Sequence, residues 1–502
     1  MKKKNVRLLL MLILAAVMIT LGSCKKDKKV TPTQNEPDPE EPVDVTASEI
    51  DQFIWYGMND YYLWYKDVPD LNDKYITNTN EMNTFLNTFN GDHDALFEAL
   101  LYQPDVIAKW SWIVDDYVEL ENSFQGISLS MGMEYGLYKY SNSDGVYGIV
   151  EYVIPDAPAE QAGIKRGDIF IAIDGQDLDI FNYRTLLFGR DAFEISFANI
   201  VDNTISANGI SVSLTAVEVH ENPIHYTEII ESEGRKIGYM VYNAFRSNYN
   251  IAMNDVFGEF KSAGIQDLIL DFRYNGGGSI LTSNYLSSMI YGTHTDDVYA
   301  VYQYNDKLDN YYRSNYGSDY FNTYFQDNID QGGGLLVPIN TLNLSRVYVI
   351  TTGGSASASE MVINGLNPFI DVYLVGEPTQ GKYVGSFTIK DYDAQGIINP
   401  SHKWALQPIT LKIANSVGTS DYVNGFAPDF PIEEDVYNML PFGDENEPML
   451  KAALNAINGV PVTKSFQPSP FVKIADSKDL RPHAKEMFVE GDFFKPKRKL
   501  KK

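Results

Sequence analysis

The sequence predicts a multidomain α+β protein with a helical N-terminal domain, a β-rich middle and an α/β core. Three observations carry this. Apolar and aromatic residues recur at helical spacing after residue 48, as in Ile50, Phe53, Ile54, Tyr56, Tyr61, Tyr62, Leu63 and Trp64. Short alternating runs broken by Asn, Asp and Gly fill residues 125–217, which is the pattern of strands and turns. From about residue 235 to 435, apolar strands alternate with helical patterns, as α/β units do. At 502 residues and 44% hydrophobic, the chain is too long for one core and rich enough for several.

Residues 1–23 read as an export signal: Lys2, Lys3, Lys4 and Arg7 precede an unbroken apolar run over residues 8–18. That run is too short to span a bilayer as a permanent helix. Cys24 is the only cysteine, so no intramolecular disulfide can form. Leu21-Gly22-Ser23-Cys24 resembles the cleavage site of bacterial lipoproteins, in which the cysteine takes the lipid. The expectation is therefore a cell-envelope protein held at a membrane, the outer membrane, by a lipid on Cys24. Residues 24–47 are polar, charged and Pro-rich, which predicts a flexible tether. Loss of the signal removes four basic and no acidic residues, taking the net charge from −27 to −31. Such acidity argues against nucleic acid as a partner. The basic run 495–502 (KPKRKLKK) is the local exception and reads as a solvated tail.

The helical domain is expected over residues 48–118 and the β-rich domain over 119–220. Within the latter, residues 148–175 (GIVEYVIPDAPAEQAGIKRGDIFIAIDG) read as a strand, a short helix opened by Pro158, a tight turn at Arg166-Gly167-Asp168, and a strand turning at Asp174-Gly175. This passage is similar to a PDZ domain of the circularly permuted type found in bacterial envelope proteases. The resemblance implies capture of a peptide C-terminus at a sheet edge, or gating of an active site, with Gly126-Ile127-Ser128 matching the carboxylate-binding loop. The α/β core is expected over 221–455, with clear strands at 237–241, 268–271, 347–350 and 372–375. Residues 456–502 form a C-terminal extension that carries no motif.

Two segments suggest chemistry. The strand at 347–350 runs into Gly353-Gly354-Ser355-Ala356-Ser357-Ala358-Ser359-Glu360 and then a helical stretch over 361–366. Small residues allow a tight turn and close approach, and a helix N-terminus points free N–H groups at a developing oxyanion. The next strand delivers Gly376-Glu377-Pro378-Thr379-Gln380-Gly381-Lys382, with Lys382 25 residues after Ser357. A buried lysine is a base able to activate a serine hydroxyl. Either segment alone has a bland reading, as a packing turn or a surface lysine. The six histidines, His93, His220, His225, His294, His402 and His483, lack metal-ligand spacing, and Gly276-Gly277-Gly278 lacks the Lys-Ser/Thr of a P-loop.

Taken together with Asp271-Phe272-Arg273-Tyr274-Asn275-Gly276-Gly277-Gly278 and Gly425-Phe426-Ala427-Pro428-Asp429, these motifs resemble the C-terminal processing, or tail-specific, serine peptidase family over roughly residues 120–435. The resemblance implies a core similar to the β/α spiral of crotonase and Clp protease, polypeptide substrates, and no cofactor or metal. It also implies Ser357 as nucleophile and Lys382 as general base. The oxyanion hole is then Ala358 N–H with Gly278 or Gly277, while Arg273 and Glu360 brace loops. Many members place Gln four residues after the lysine; here Ser386 stands there, so the lysine is oriented by the shorter serine hydroxyl or by a different group, or the rate is reduced. The alternative is an inactive PDZ-containing lipoprotein that binds peptides or acts as a scaffold.

Overall fold

The computed structural model describes residues 44–140, 143–201, 204–292, 294–393, 395–462, 471–481 and 485–490. Cys24, the signal at 1–23, the tether up to residue 43 and the basic run at 495–502 lie outside the described residues. The fold belongs to the unit Thr46–Lys502. No helix among the described residues is long and apolar enough to cross a membrane.

Helix Glu49–Tyr61 opens with Ser48 as its cap, whose side chain accepts the Asp51 N–H at 3.0 Å, and carries Glu49 and Asp51 in its first turn. It buries Phe53, Ile54, Trp55, Met58 and Tyr61. Residues 48–118, which the sequence reads as a helical domain, share their core with later segments. Leu308, Tyr312, Phe321, Phe387, Ile389 and Leu406, all from later segments, pack into the same cluster. Strand Trp112–Val114 also pairs antiparallel with Ala405–Gln407. The physical reason is the size of the aromatic surface, which short helices alone cannot remove from water. Gly57 marks the closest approach, since a Cβ there would lie 2.4 Å from Leu406 Cδ1.

The β-rich domain is a seven-stranded sheet. Its main path runs Phe471–Asp476, Met133–Tyr140, Val146–Val153, Ile169–Ile173, Ala192–Val201 and Thr204–Thr215, and Gln176–Asp177 pairs off Ile169–Ile173. Helix Pro158–Gln161 starts at the predicted proline, and Asp174 and Gly175 turn with φ of 49° and 71°. The outer strand was not foreseen. It comes from the extension beyond residue 456 and pairs antiparallel with Met133–Tyr140.

The core holds two six-stranded sheets. The first runs Ile224–Ser232, Arg235–Tyr242, Asp267–Asp271, Arg346–Thr351, Asp371–Gly376 and Phe430–Pro431, parallel except for the first pair. Successive side chains alternate between its faces. Met240, Tyr242, Leu268, Leu270, Val347 and Val349 pack with helices Asn250–Ala263, Ile280–Tyr291 and Ala358–Leu366. Tyr239, Val241, Ile269, Tyr348 and Ile350 pack with helix Pro448–Ile457. The second sheet runs Gly278–Ser279, Met487–Phe488, Val384–Ser386, Ile409–Ala414, Val298–Tyr304 and Asn322–Tyr324. The glycine, serine and lysine loops leave the carboxyl ends of three adjacent parallel strands of the first sheet, where open α/β sheets present their sites.

A buried ion network lies behind the glycine loop. Arg273, with no exposed surface, pairs with Asp271 at 2.7 Å and with Glu434 and Glu447 at 2.9 Å each. Arg166, from the tight turn of the β-rich domain, joins Glu434 at 2.6 Å and Tyr274 at 2.7 Å. Burial opposes ionisation of Glu434, but the Arg166 and Arg273 guanidiniums outweigh it and hold the carboxyl down at about 2. A depressed carboxyl stabilises the fold above its ordinary value of about 4.3, and that stability is lost as pH falls toward 2. Arg273→Met, which leaves buried carboxylates unpaired, is expected to lose roughly 3–5 kcal/mol in urea unfolding. Glu434→Gln is expected to flatten the fall in stability between about pH 4.3 and 2. A wild-type fall of unchanged steepness in Glu434→Gln would show that other groups carry it.

Candidate active site

The serine loop follows strand Arg346–Thr351 and ends in helix Ala358–Leu366. All three of its serines are buried, yet their hydroxyls do different things. Ser355 Oγ donates to Phe272 O at 2.7 Å and accepts the Thr352 N–H at 3.0 Å. Ser359 Oγ donates to Asn275 O at 3.0 Å. These two stitch the serine loop to the segment that leads into the glycines. Ser357 Oγ turns elsewhere, to the carbonyl oxygen of Glu486 at 2.5 Å. Ser357 also has a φ of 64°, in the left-handed region that non-glycine residues enter only when the surroundings hold them there.

Glu360 supplies much of that hold. Its Oε2 accepts the N–H groups of Ser357 and Lys382, both at 2.8 Å, and its Oε1 accepts Gly381 N–H at 2.6 Å and Thr379 Oγ1 at 2.7 Å. Burial pushes this carboxyl above the ordinary range, and the donors offset part of the rise. One side chain thus fixes the backbone of the serine loop and of the lysine loop together.

Lys382 has no exposed surface. Its Nζ lies 5.6 Å and 5.8 Å from the ring centres of Trp110 and Trp112 and donates to Lys485 O at 2.5 Å. Burial brings its pKa down to about 7, against the opposing pull of Glu486 and Glu360. The amine is therefore able to exist neutral, and to take a proton, near neutral pH. Ser386 does not orient it. The Ser386 hydroxyl accepts Gln407 Nε2 at 2.9 Å and faces Met487 O at 3.4 Å, so its short side chain is engaged away from Lys382. The tryptophan pair and the Glu360 anchor at its backbone are what surround the lysine. Trp110, Trp112 and Gln407 carried no signal in the sequence, because they reach the site from the helical region and from a distant strand.

In the glycine loop, Gly278 N–H donates to Glu486 O at 2.7 Å. Gly277 N–H does not point there. It donates to Asn275 Oδ1 at 2.9 Å, which removes it as an oxyanion donor in this arrangement. Gly277 is needed for another reason: its φ is 114°, and a Cβ would lie 2.6 Å from Ser357 Cβ. Ala358 is the first residue of its helix, so its N–H has no acceptor within the helix. Ser357 and Gly278 thus converge on one carbonyl oxygen, while Lys382 meets the carbonyl before it. Arg273 and Glu360 stand behind the loops, in contact with neither carbonyl.

Strand Ile127–Ser130 pairs with Val217–His220, and Gly126 precedes it at a φ of 79°. Gly126 and Ser128 line a cavity of about 180 Å³ that Gly276, Gly277, Arg246 and Glu486 also line. The expected carboxylate-binding loop and the glycine loop therefore open on one space. The histidines whose contacts are described sit apart: His93 on Asp51, His402 on Asp391, His220 on Glu218, His225 against Tyr152 and His294 against Tyr291. His483 lies outside the described residues.

Residues 236–432 match the model of peptidase family S41, residues 49–112 that of the peptidase S41 N-terminal domain, and residues 149–187 that of a PDZ domain. The chloroplastic C-terminal processing peptidase of Tetradesmus obliquus is 24% identical over 315 residues, which are 58% of this chain and 62% of that protein. The carboxy-terminal-processing protease of Bartonella bacilliformis is 25% identical over 391 residues, 72% of this chain and 78% of its own length. The match thus spans less than two thirds of the first relative. A solved structure from Bacteroides fragilis, assigned to the S41 proteases, superposes with a TM-score of 0.59 at 27% identity, over 81% of this chain and 97% of that one. The chain is thus similar to peptidase family S41 over residues 236–432, with a match to that family's N-terminal domain and one to a PDZ domain ahead of this core.

Proposed function

We propose that the protein is a serine endopeptidase of the C-terminal processing type that works through a Ser357–Lys382 dyad. The observation that supports this best is the convergence of Ser357 Oγ and Gly278 N–H on a single peptide carbonyl oxygen, beside a buried lysine. In this reading Lys382, neutral, takes the Ser357 proton as Oγ attacks the substrate carbonyl carbon. Gly278 N–H and Ala358 N–H stabilise the tetrahedral oxyanion. Lys382 then returns the proton to the leaving amine, and water releases the acyl group. The PDZ domain captures a polypeptide C-terminus at Gly126-Ile127-Ser128 and hands it across the shared cavity to the cleft. A lipid on Cys24 anchors the protein in the cell envelope, at the outer membrane.

Ser357→Ala and Lys382→Ala are each expected to lower cleavage of an unfolded protein by at least ~10³-fold with unfolding midpoints close to wild type. Undiminished cleavage by either variant rules out the dyad. Because the base must be neutral, kcat/KM of wild type should rise about tenfold per pH unit below about 7 and level off above it. A rate independent of pH from 5 to 9 contradicts Lys382 as base. For the anchor, metabolic labelling with a fatty acid should mark wild type and leave Cys24→Ser unlabelled and released from membranes; equal labelling of both disproves it.

A further inference from the structure

Residues 485–490 enter the catalytic cleft as a strand. Met487–Phe488 runs parallel to Gly278–Ser279 on one side and to Val384–Ser386 on the other, so it lies between the glycine loop and the strand that follows Lys382. Several contacts hold it in register. Met487 is fully buried in the main core. Phe488 stacks on Phe124 with ring centres 4.0 Å apart. Val489 N–H donates to Ser386 O at 2.9 Å, and Lys485 Nζ donates to Gln380 Oε1 at 2.7 Å. A hydrogen bond from Gly278 N–H to Glu486 O is what any parallel ladder would make. The bonds from Ser357 Oγ to Glu486 O and from Lys382 Nζ to Lys485 O are not ladder bonds, and they bring both members of the dyad onto this one stretch.

We propose that the chain cleaves itself at the Glu486–Met487 peptide bond. The inference rests on the catalytic reading given above. Its ground is that the Glu486 carbonyl oxygen receives the nucleophile's hydroxyl and the glycine-loop N–H at once, so its carbonyl carbon, about 1.2 Å from that oxygen, is the electrophile nearest Ser357 on this strand. The segment is pinned on both sides of the bond, which replaces a bimolecular encounter with a fixed one. As held, Ser357 and Lys382 both donate to the strand, and the cleft is closed to any other polypeptide.

Cleavage starts when Ser357 gives its proton to the neutral Lys382 and Oγ bonds to the Glu486 carbonyl carbon. The C–N bond to Met487 then breaks, and the proton passes from Lys382 to the Met487 nitrogen, which leaves as an amine. Water hydrolyses the resulting ester, freeing Ser357 and leaving a carboxylate on Glu486. The cut divides the strand that fills the cleft and gives later substrates room to enter.

Full-length wild type and Ser357→Ala, incubated at pH 8 and followed by intact mass and N-terminal sequencing, test the proposal, with an unfolded protein as parallel substrate. Wild type should yield a fragment beginning at Met487, on purification or on incubation, at a rate unchanged by tenfold dilution, while Ser357→Ala stays whole even when mixed with wild type. Wild type that degrades the unfolded protein but keeps the Glu486–Met487 bond overturns self-cleavage and leaves the peptidase reading standing. Wild type that cuts neither overturns both. Cutting of Ser357→Ala by added wild type, with a rate that falls on dilution, overturns the assignment of the cut to the same chain.

Discussion

A buried carboxylate, that of Glu360, takes hydrogen bonds from Ser357 and Lys382 N–H through one oxygen and from Gly381 N–H and Thr379 through the other. Those donors belong to two loops that leave adjacent strands, Arg346–Thr351 and Asp371–Gly376. The parallel ladder sets the strands side by side, but it fixes neither the left-handed φ of Ser357 nor the entry of Lys382. The Glu360 clamp does both. An uncapped helix N-terminus would leave its N–H groups unsatisfied in a buried site, so capping, the left-handed backbone of Ser357 and the placement of Lys382 are met by the same side chain. Burial favours the neutral acid and the donors favour the anion, and this balance keeps the clamp specific to a residue that accepts at both oxygens.

Behind the glycine loop a second polar device plays a similar part for the PDZ domain. Tyr274, within the glycine-loop motif, donates to Glu434 at 2.6 Å, and Arg166 reaches both of them from the PDZ domain's tight turn. Arg273 lies on the other side of Glu434, so the domain junction and the glycine loop share one charge-balanced cluster. Buried ions of this kind contribute less to stability than to geometry, because desolvation offsets most of their attraction. Here they determine where the glycine loop stands when Gly278 faces the cleft.

Much of this was legible in the sequence because the signals were local. The strands at 237–241, 268–271, 347–350 and 372–375 stand out as apolar runs, and the structure extends them by at most two residues at either end. The distinction among three serines could be drawn only by position within a motif. In the structure Ser355 and Ser359 donate to backbone carbonyls of the segment leading into the glycines, and Ser357 to that of Glu486. What escaped sequence reading is what depends on distant pairing. For the aromatic N-terminal region, helical periodicity says which face is buried and not against what, so the later segments that complete its core were not visible. Trp110 and Trp112 beside Lys382, Gln407 on Ser386, and the strands Phe471–Asp476 and Met487–Phe488 arrive from far along the chain and leave no local trace. What the Ser386 hydroxyl binds is open in the sequence for the same reason, since its partner Gln407 sits on another strand.

The account stands on Ser357 as the nucleophile that Lys382 activates. Covalent labelling with a fluorophosphonate, with the modified residue located by peptide mass spectrometry, tests this most directly. The account predicts one adduct, on Ser357, in actively cleaving wild-type protein, and its loss in Lys382→Ala. An adduct on Ser355 or Ser359, or labelling of Ser357 undiminished in Lys382→Ala, would contradict it.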